Sequence, residues 1–178
     1  MILRTGRRFR RSSDLNPFTF TLFYMNNTVK KYGTFRTVSL HNLKPTEYFL
    51  WKPAVEYWKE KIEEEGVVKK PIFMPQYSIL IDGNHKTFAM YLLGYTEVEC
   101  ELKPDIFTYP DGMTPQDLVS MCDQHGVRSI TDLSDHVCES KEYRRRYKEK
   151  MSEFFNIDIP TERFERVMRV IQETIHMR

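Results

Sequence analysis

The sequence predicts an α+β protein: a small mixed sheet with packed helices, followed by a helical C-terminal region. Three observations carry this expectation. Phe35 to Leu40 and Glu97 to Leu102 alternate apolar and polar residues with the period of strands. Val55, Trp58 and Ile62 recur at helical spacing, with Glu60, Glu63 and Glu64 on the other side. Late in the chain the apolar residues hold the helical period, first as Tyr143, Tyr147, Met151 and Phe154, then as Phe164, Val167, Met168, Ile171 and Ile175. The length of 178 residues suits one domain with a real core and a helical appendage.

The expected organisation is a basic, flexible arm over residues 1–16, an α/β domain over 17–112 and a helical extension over 113–178. Phe18, Phe20, Leu22 and Tyr24 alternate as a first strand, broken by Asn26-Asn27 and then Gly33. Phe35 to Leu40 is the next, and Leu43-Lys44-Pro45-Thr46-Glu47 leaves it as a loop, because proline cannot donate to a ladder. Pro53 opens a helix that Gly66 closes. Pro71 to Phe73 and Tyr77 to Ile81 read as short strands around a Met-Pro-Gln turn. Asn84 to Leu93 reads as a helix stopped by Gly94, and Glu97 to Leu102 as the strand after it. Pro104 to Gly112 is a loop. Thr114, Pro115 and Asp117 supply a cap, a first-turn proline and a first-turn acid for a helix reaching Gly126.

Hydrophobic residues make up 40% and charged residues 29%, the balance of a soluble globular chain. No apolar run is long enough to cross a bilayer; the longest candidate, Phe18 to Met25, is short. The start Met1-Ile2-Leu3-Arg4 lacks the apolar centre of a signal peptide. A net charge of +2 excludes a whole-surface electrostatic clamp for DNA. The positive charge is local: Arg4, Arg7, Arg8, Arg10 and Arg11 form a basic arm, and Arg144, Arg145 and Arg146 a second cluster. Each is either an ordinary solvated segment or a nucleic-acid contact. Cys100, Cys122 and Cys138 match neither a disulfide framework nor a zinc signature, which fits a reducing cytoplasm. Cys122 and His125 stand three apart without a second pair, so no metal site is expected.

The chemistry concentrates in Ile79-Leu80-Ile81-Asp82-Gly83-Asn84-His85-Lys86-Thr87, where an apolar strand turns into a helix. The first amides of a helix lack internal partners and attract anions. Gly83 permits a tight turn and close backbone approach. Asp82 is either the helix cap or a catalytic or metal-linked carboxylate. Asn84 either donates to a phosphate or holds the turn. His85 shares a face with Phe88, Ala89 and Leu92, as a half-buried histidine or a catalyst. Lys86 is either a cation for ligand charge or a solvated lysine, and Thr87 can add a hydroxyl.

Two segments, taken together, resemble ParB/sulfiredoxin-like domains. Thr37-Val38-Ser39-Leu40-His41-Asn42-Leu43-Lys44-Pro45-Thr46-Glu47 resembles their opening strand and loop. Leu80 to Thr87 resembles their Asp-Gly-x-His-Arg box, and Leu92-Leu93-Gly94-Tyr95 leads to the Val98 strand as it does there. The match spans roughly residues 35–103, the size of a compact module. The resemblance implies that Gly83, Asn84, His85, Lys86 and Thr87 surround nucleotide phosphates.

Three branches of that superfamily give different expectations. Sulfiredoxins carry a nucleophilic cysteine where this chain has Asn84, so their reaction is not expected. Free-serine kinases carry a Lys-Pro-x-Glu segment, matched by Lys44-Pro45-Thr46-Glu47. The resemblance makes Glu47 a candidate base, with Asp82 and His85 beside it, in transfer from ATP or ADP with Mg²⁺ to a small hydroxyl compound. ParB proteins bind CTP and clamp DNA, for which the basic arm is the candidate contact. The box ends in Lys86 where these families carry arginine; lysine keeps the charge but loses the two-pronged geometry. That leaves a catalytically inactive interaction module as a third expectation. The tyrosines and methionines of the C-terminal helices suit a core or a homodimer interface.

Overall fold

The computed structural model describes residues 34–66, 69–103, 114–155 and part of 160–169. The arm at residues 1–16, the expected strand at 18–24 and the loop at 104–112 lie outside the described residues. So do the side chains of Met151, Phe154 and Val167, and the helix positions Ile171 and Ile175.

The fold is α+β, as the alternation and helical periods predict. Strands β1 (Phe35–Ser39), β3 (Ile72–Met74), β4 (Ile79–Asp82) and β5 (Glu97–Leu102) form one sheet in the order β1-β5-β3-β4. The sheet is mixed: β1 runs antiparallel to β5, β3 parallel to β5, and β4 antiparallel to β3. Two two-residue strands, β2 (Leu50–Trp51) and β6 (Val137–Cys138), pair in parallel apart from it. Helix α1 (Lys52–Glu65) and helix α2 (Asn84–Leu92) pack on each other, and α3 (Pro115–Gln124) and α4 (Ser140–Phe155) follow.

Local chemistry places these ends where the sequence puts them. Gly66 terminates α1 at φ 75°, its amide donating to the Ile62 carbonyl. Thr114 caps α3: its hydroxyl accepts from the Asp117 amide while the Asp117 carboxylate accepts from the Thr114 amide at 2.7 Å. Val55 and Ile62 are buried on the inner face of α1. In β5, Val98 and Cys100 turn inward while Glu97 and Glu99 face water.

The main core runs through both halves of the chain. Leu40, Leu43, Leu50, Phe73, Leu80 and Phe88 share it with Cys122, Val127, Ile130, Leu133 and Tyr143. Residues from the last third therefore complete the hydrophobic centre of the α/β part. A smaller cluster, Ile72, Met74, Ile79, Ile81 and Val119, joins α3 to the β3–β4 hairpin. Among the described residues no helix is long and apolar enough to cross a membrane.

The structure adds elements that the periodicity misses. Strand β6 lies inside the region expected to be helical, and 3-10 segments cover Leu40–Asn42 and Ile130–His136. Strands of two residues are shorter than one alternation, so β2 and β6 leave no period to read.

Candidate functional site

The site is assembled where the loop after β1 crosses the start of α2. Lys44 bridges to Ile79 of β4, and the Leu80 amide donates to the Lys44 carbonyl at 2.9 Å, so the loop runs beside the strand that delivers Gly83. Thr46 and Asn84 then lock it. The Thr46 amide donates to Asn84 Oδ1 at 3.2 Å, Asn84 Nδ2 donates to Thr46 Oγ1 at 3.1 Å, and Thr46 Oγ1 donates to the Leu80 carbonyl at 3.1 Å. Asn84 is only 5% exposed. Of its two sequence readings, the structure shows the one in which it holds the loop.

That lock delivers Glu47 to His85. Glu47 Oε2 lies 3.4 Å from His85 Nδ1, and the Glu47 side chain is 36% exposed. Oε2 itself is buried and has no hydrogen-bond partner, so the exposure belongs to the rest of the side chain. His85 Nε2 accepts the Trp51 amide at 3.0 Å. With Nε2 occupied as an acceptor, the proton of the neutral ring sits on Nδ1, facing the carboxylate. Burial lowers the His85 pKa below its ordinary value, against the opposing charges of Glu47 and Asp82. The pair is thus a carboxylate packed beside a neutral imidazole, without a hydrogen bond between them.

The remaining box residues take positions that correct the sequence reading. Asp82 ends β4 and does not cap the helix: the N-cap is Gly83, at φ 95°, and no side chain caps α2. Gly83 is required by packing within the protein, since a Cβ there would stand 3.3 Å from Pro71 Cβ and 3.4 Å from Lys86 Cε at a φ that disfavours L side chains. Leu92 is exposed, so the buried face of α2 that His85 joins is formed by Phe88 and Ala89 without it. Thr87 is fully buried and its Oγ1 has no hydrogen-bond partner among the described residues.

Lys86 is not a surface lysine. It is 4% exposed, its ammonium donates to the Lys69 carbonyl, and it lies 5.3 Å from the centre of the Trp58 ring. Burial pulls its pKa down to about 8, with the charge of Asp82 opposing and that of Lys69 assisting. The cation that the box offers a ligand in the sequence reading is spent on the inside of the fold, bracing the segment before β3.

The last third of the chain supplies a residue that the motif reading passes over. Tyr143 of α4 is buried with its ring 6.0 Å from Trp51, 5.2 Å from Phe49 and 6.3 Å from His85. Burial, then the charge of Glu47, holds its phenol protonated well above the usual range. Trp51 Nε1 donates to Ser140 Oγ at 3.0 Å, and Lys52 pairs with Glu139 at 2.5 Å, fastening α4 to the strand beside the site. Tyr143 stands out in the sequence only as one of several aromatics at helical spacing, a signal that core packing produces equally.

No protein-family model and no curated protein matches the sequence. Solved structures that align with it include protein Atu1540 from Agrobacterium tumefaciens, 15% identical with a TM-score of 0.40, over 75% of this chain and 77% of that one. They also include a Pnob8-like ParB-N domain, 14% identical with a TM-score of 0.33, over 81% of each chain.

The arginine cluster of α4 is engaged in acid pairs. Arg144 meets Glu165 at 2.9 Å, Arg145 meets Glu142 at 2.7 Å and Glu149 at 2.6 Å, and Arg146 meets Glu142 at 2.7 Å. It presents no unpaired arginine stripe to a nucleic acid. Among the described residues no group of three or more histidine, cysteine, aspartate or glutamate side chains could hold a metal ion. All three cysteines are free and buried, and burial pushes the Cys100 and Cys122 thiols up to about 12, which keeps them unreactive.

Proposed function

We propose that this is a ParB/sulfiredoxin-like protein that binds nucleotide phosphates at the start of α2 and uses Glu47 as the base of a phosphoryl transfer to a small hydroxyl compound. The reading rests on one observation above the others: the Glu47 carboxylate lies 3.4 Å from His85, the second residue of a helix whose start no side chain caps. The order of the two sequence motifs supports it as well.

The chain's residues fit these roles. The uncapped amides at the start of α2 are donors for phosphate oxygens. Asn84 and Thr46 hold the loop that carries the base. His85 is fixed through Nε2 and packs beside Glu47 Oε2, which makes it a positioning residue. The other carboxylate oxygen of Glu47, Oε1, takes the proton from the substrate hydroxyl. The new bond forms between the hydroxyl oxygen and the transferred phosphorus, and the bond to the nucleotide's leaving oxygen breaks. ATP or ADP supplies the phosphoryl group. Mg²⁺ would be held by the phosphates and one carboxylate, for which Asp82, at the end of β4, is the candidate. The DNA-binding alternative draws no support from the paired arginines of α4.

The test is incubation with ATP or ADP, Mg²⁺ and a panel of hydroxy compounds, read by phosphorylated product. The expected result is product with the intact chain and none above background with Glu47→Gln. Absence of product from the intact chain, or equal activity in the variant, would sink the proposal.

A further inference from the structure

A second unexplained group lies one residue along from the base. Lys150 of α4 is half-buried, with its ammonium 5.3 Å from the centre of the Tyr48 ring and 5.9 Å from that of Phe49. The neighbouring basic residues of the helix are engaged: Arg144, Arg145 and Arg146 with acids, Lys148 with the Thr161 hydroxyl at 3.4 Å. Lys150 has no acid partner among the described residues. Tyr48, beneath it, is fixed by His125, whose ring stacks on it at 3.9 Å and 8°. Tyr48 and Phe49 follow Glu47 directly in the chain, so the ammonium lies over the segment that carries the base.

Aromatic faces satisfy a half-buried ammonium only in part. An anion beside it completes its surroundings. The proposed ligand has such an anion. A helix start offers the equivalent of about half a charge, too little for the several negative charges of a nucleotide's phosphates. The box lysine does not make up the difference, because Lys86 is turned inward to the Lys69 carbonyl. We infer that Lys150, from the C-terminal helix, is the cation that receives the phosphate-bearing end of the ligand at the Glu47 site. The inference rests on the proposed nucleotide reading. It gives α4 a part in binding: the helix brings the ammonium in on the same face as Tyr143, two turns away, whose ring packs against Phe49 and His85.

The experiment is calorimetric titration of the full chain with ATP and Mg²⁺, comparing the unaltered protein with Lys150→Met, Lys150→Arg and Lys148→Met. Loss of a charge-assisted contact predicts affinity about tenfold or more weaker for Lys150→Met. Lys150→Arg retains binding and Lys148→Met leaves it unchanged. Lys150→Gln replaces Lys150→Met if the latter lowers the melting temperature enough to disturb folding. Equal affinity in Lys150→Met and the unaltered protein overturns the inference and leaves the nucleotide reading standing, with Lys150 a packing cation over two rings. No ATP binding by the unaltered protein overturns both.

Discussion

His85 Nδ1 faces Glu47 Oε2 across 3.4 Å while His85 Nε2 accepts the Trp51 amide at 3.0 Å. Nε2 is committed to the backbone, and Nδ1 packs against the carboxylate without a hydrogen bond to Oε2. The histidine is therefore a neutral strut beside the carboxylate. The same arrangement gives the protein a defined response to acid.

The pH response follows from the lowered His85 pKa. Below 6.5 the unfolded chain protonates this histidine while the folded chain resists it until its own lower value is reached. The His85 contribution to stability is therefore full above pH 6.5 and is lost as pH falls from 6.5 toward the folded value. Urea unfolding at stepped pH should show stability falling through that window in the unaltered protein. A His85→Phe variant should show a smaller fall. Parallel pH curves for the two proteins would contradict the neutral-strut account.

Lys86 predicts a second dependence, of the same sign at higher pH. Its folded pKa of about 8 lies below the ordinary lysine value of 10.5, so the unfolded chain holds more protons between the two. Stability should rise with pH from about 8 toward 10.5 by about 3 kcal/mol, from the cost of keeping a buried ammonium charged. Lys86→Met should flatten this rise. Lys86→Arg restores the residue found in the resembling families, yet it puts a larger, permanently charged group beside Trp58, Gly83 and the Lys69 carbonyl. We expect it to cost about 1–3 kcal/mol by overpacking. Thermal melts of the three proteins at pH 7 and pH 9.5 check both effects, and an unperturbed Lys86→Arg would contradict the packing argument.

The Thr46–Asn84 lock predicts strong coupling. Asn84→Ala leaves a buried Thr46 amide without its acceptor, at about 1–3 kcal/mol. A double-mutant cycle with Thr46→Val should give an interaction energy of about 0.5–3 kcal/mol by urea unfolding. Simple additivity would show that the two side chains do not act as one unit.

Gly83→Ala combines a left-handed φ of 95° with a Cβ 3.3 Å from Pro71 Cβ. The backbone conformation alone costs about 1–2 kcal/mol, and the close contact with the proline adds to it. Gly94→Ala shares the positive φ, at 84°, but has no atom within 4 Å of its added Cβ, so it serves as the control without the contact. Thermal melts should place Gly83→Ala below Gly94→Ala; the reverse order would contradict the close approach of Pro71.

The sequence makes the sheet and most helix ends legible because their signals are local. Alternation marks β1 and β5, and Gly66 and Thr114 mark ends of α1 and α3 through hydrogen bonds within a few residues. The meeting of the Lys44–Glu47 loop with the box is legible only through the order of two motifs. The non-local contacts are not legible. Lys86 reads as a charged helix residue, and nothing near it in sequence says that the Lys69 carbonyl and Trp58 close over it. Asp82 has the right chemistry for a cap, but the turn places Gly83 at the capping position instead. Tyr143 reaches His85 from far along the chain, through the pairing of β2 with β6 and the Trp51–Ser140 bond.

The most direct test of the central claim is the rate of phosphoryl transfer from ATP in Glu47→Gln against the unaltered protein, at saturating nucleotide and the best hydroxyl acceptor. Removal of a general base predicts a loss of about 10²–10⁴-fold, with nucleotide affinity little changed. Equal rates in the two proteins would contradict the assignment of Glu47 as the base.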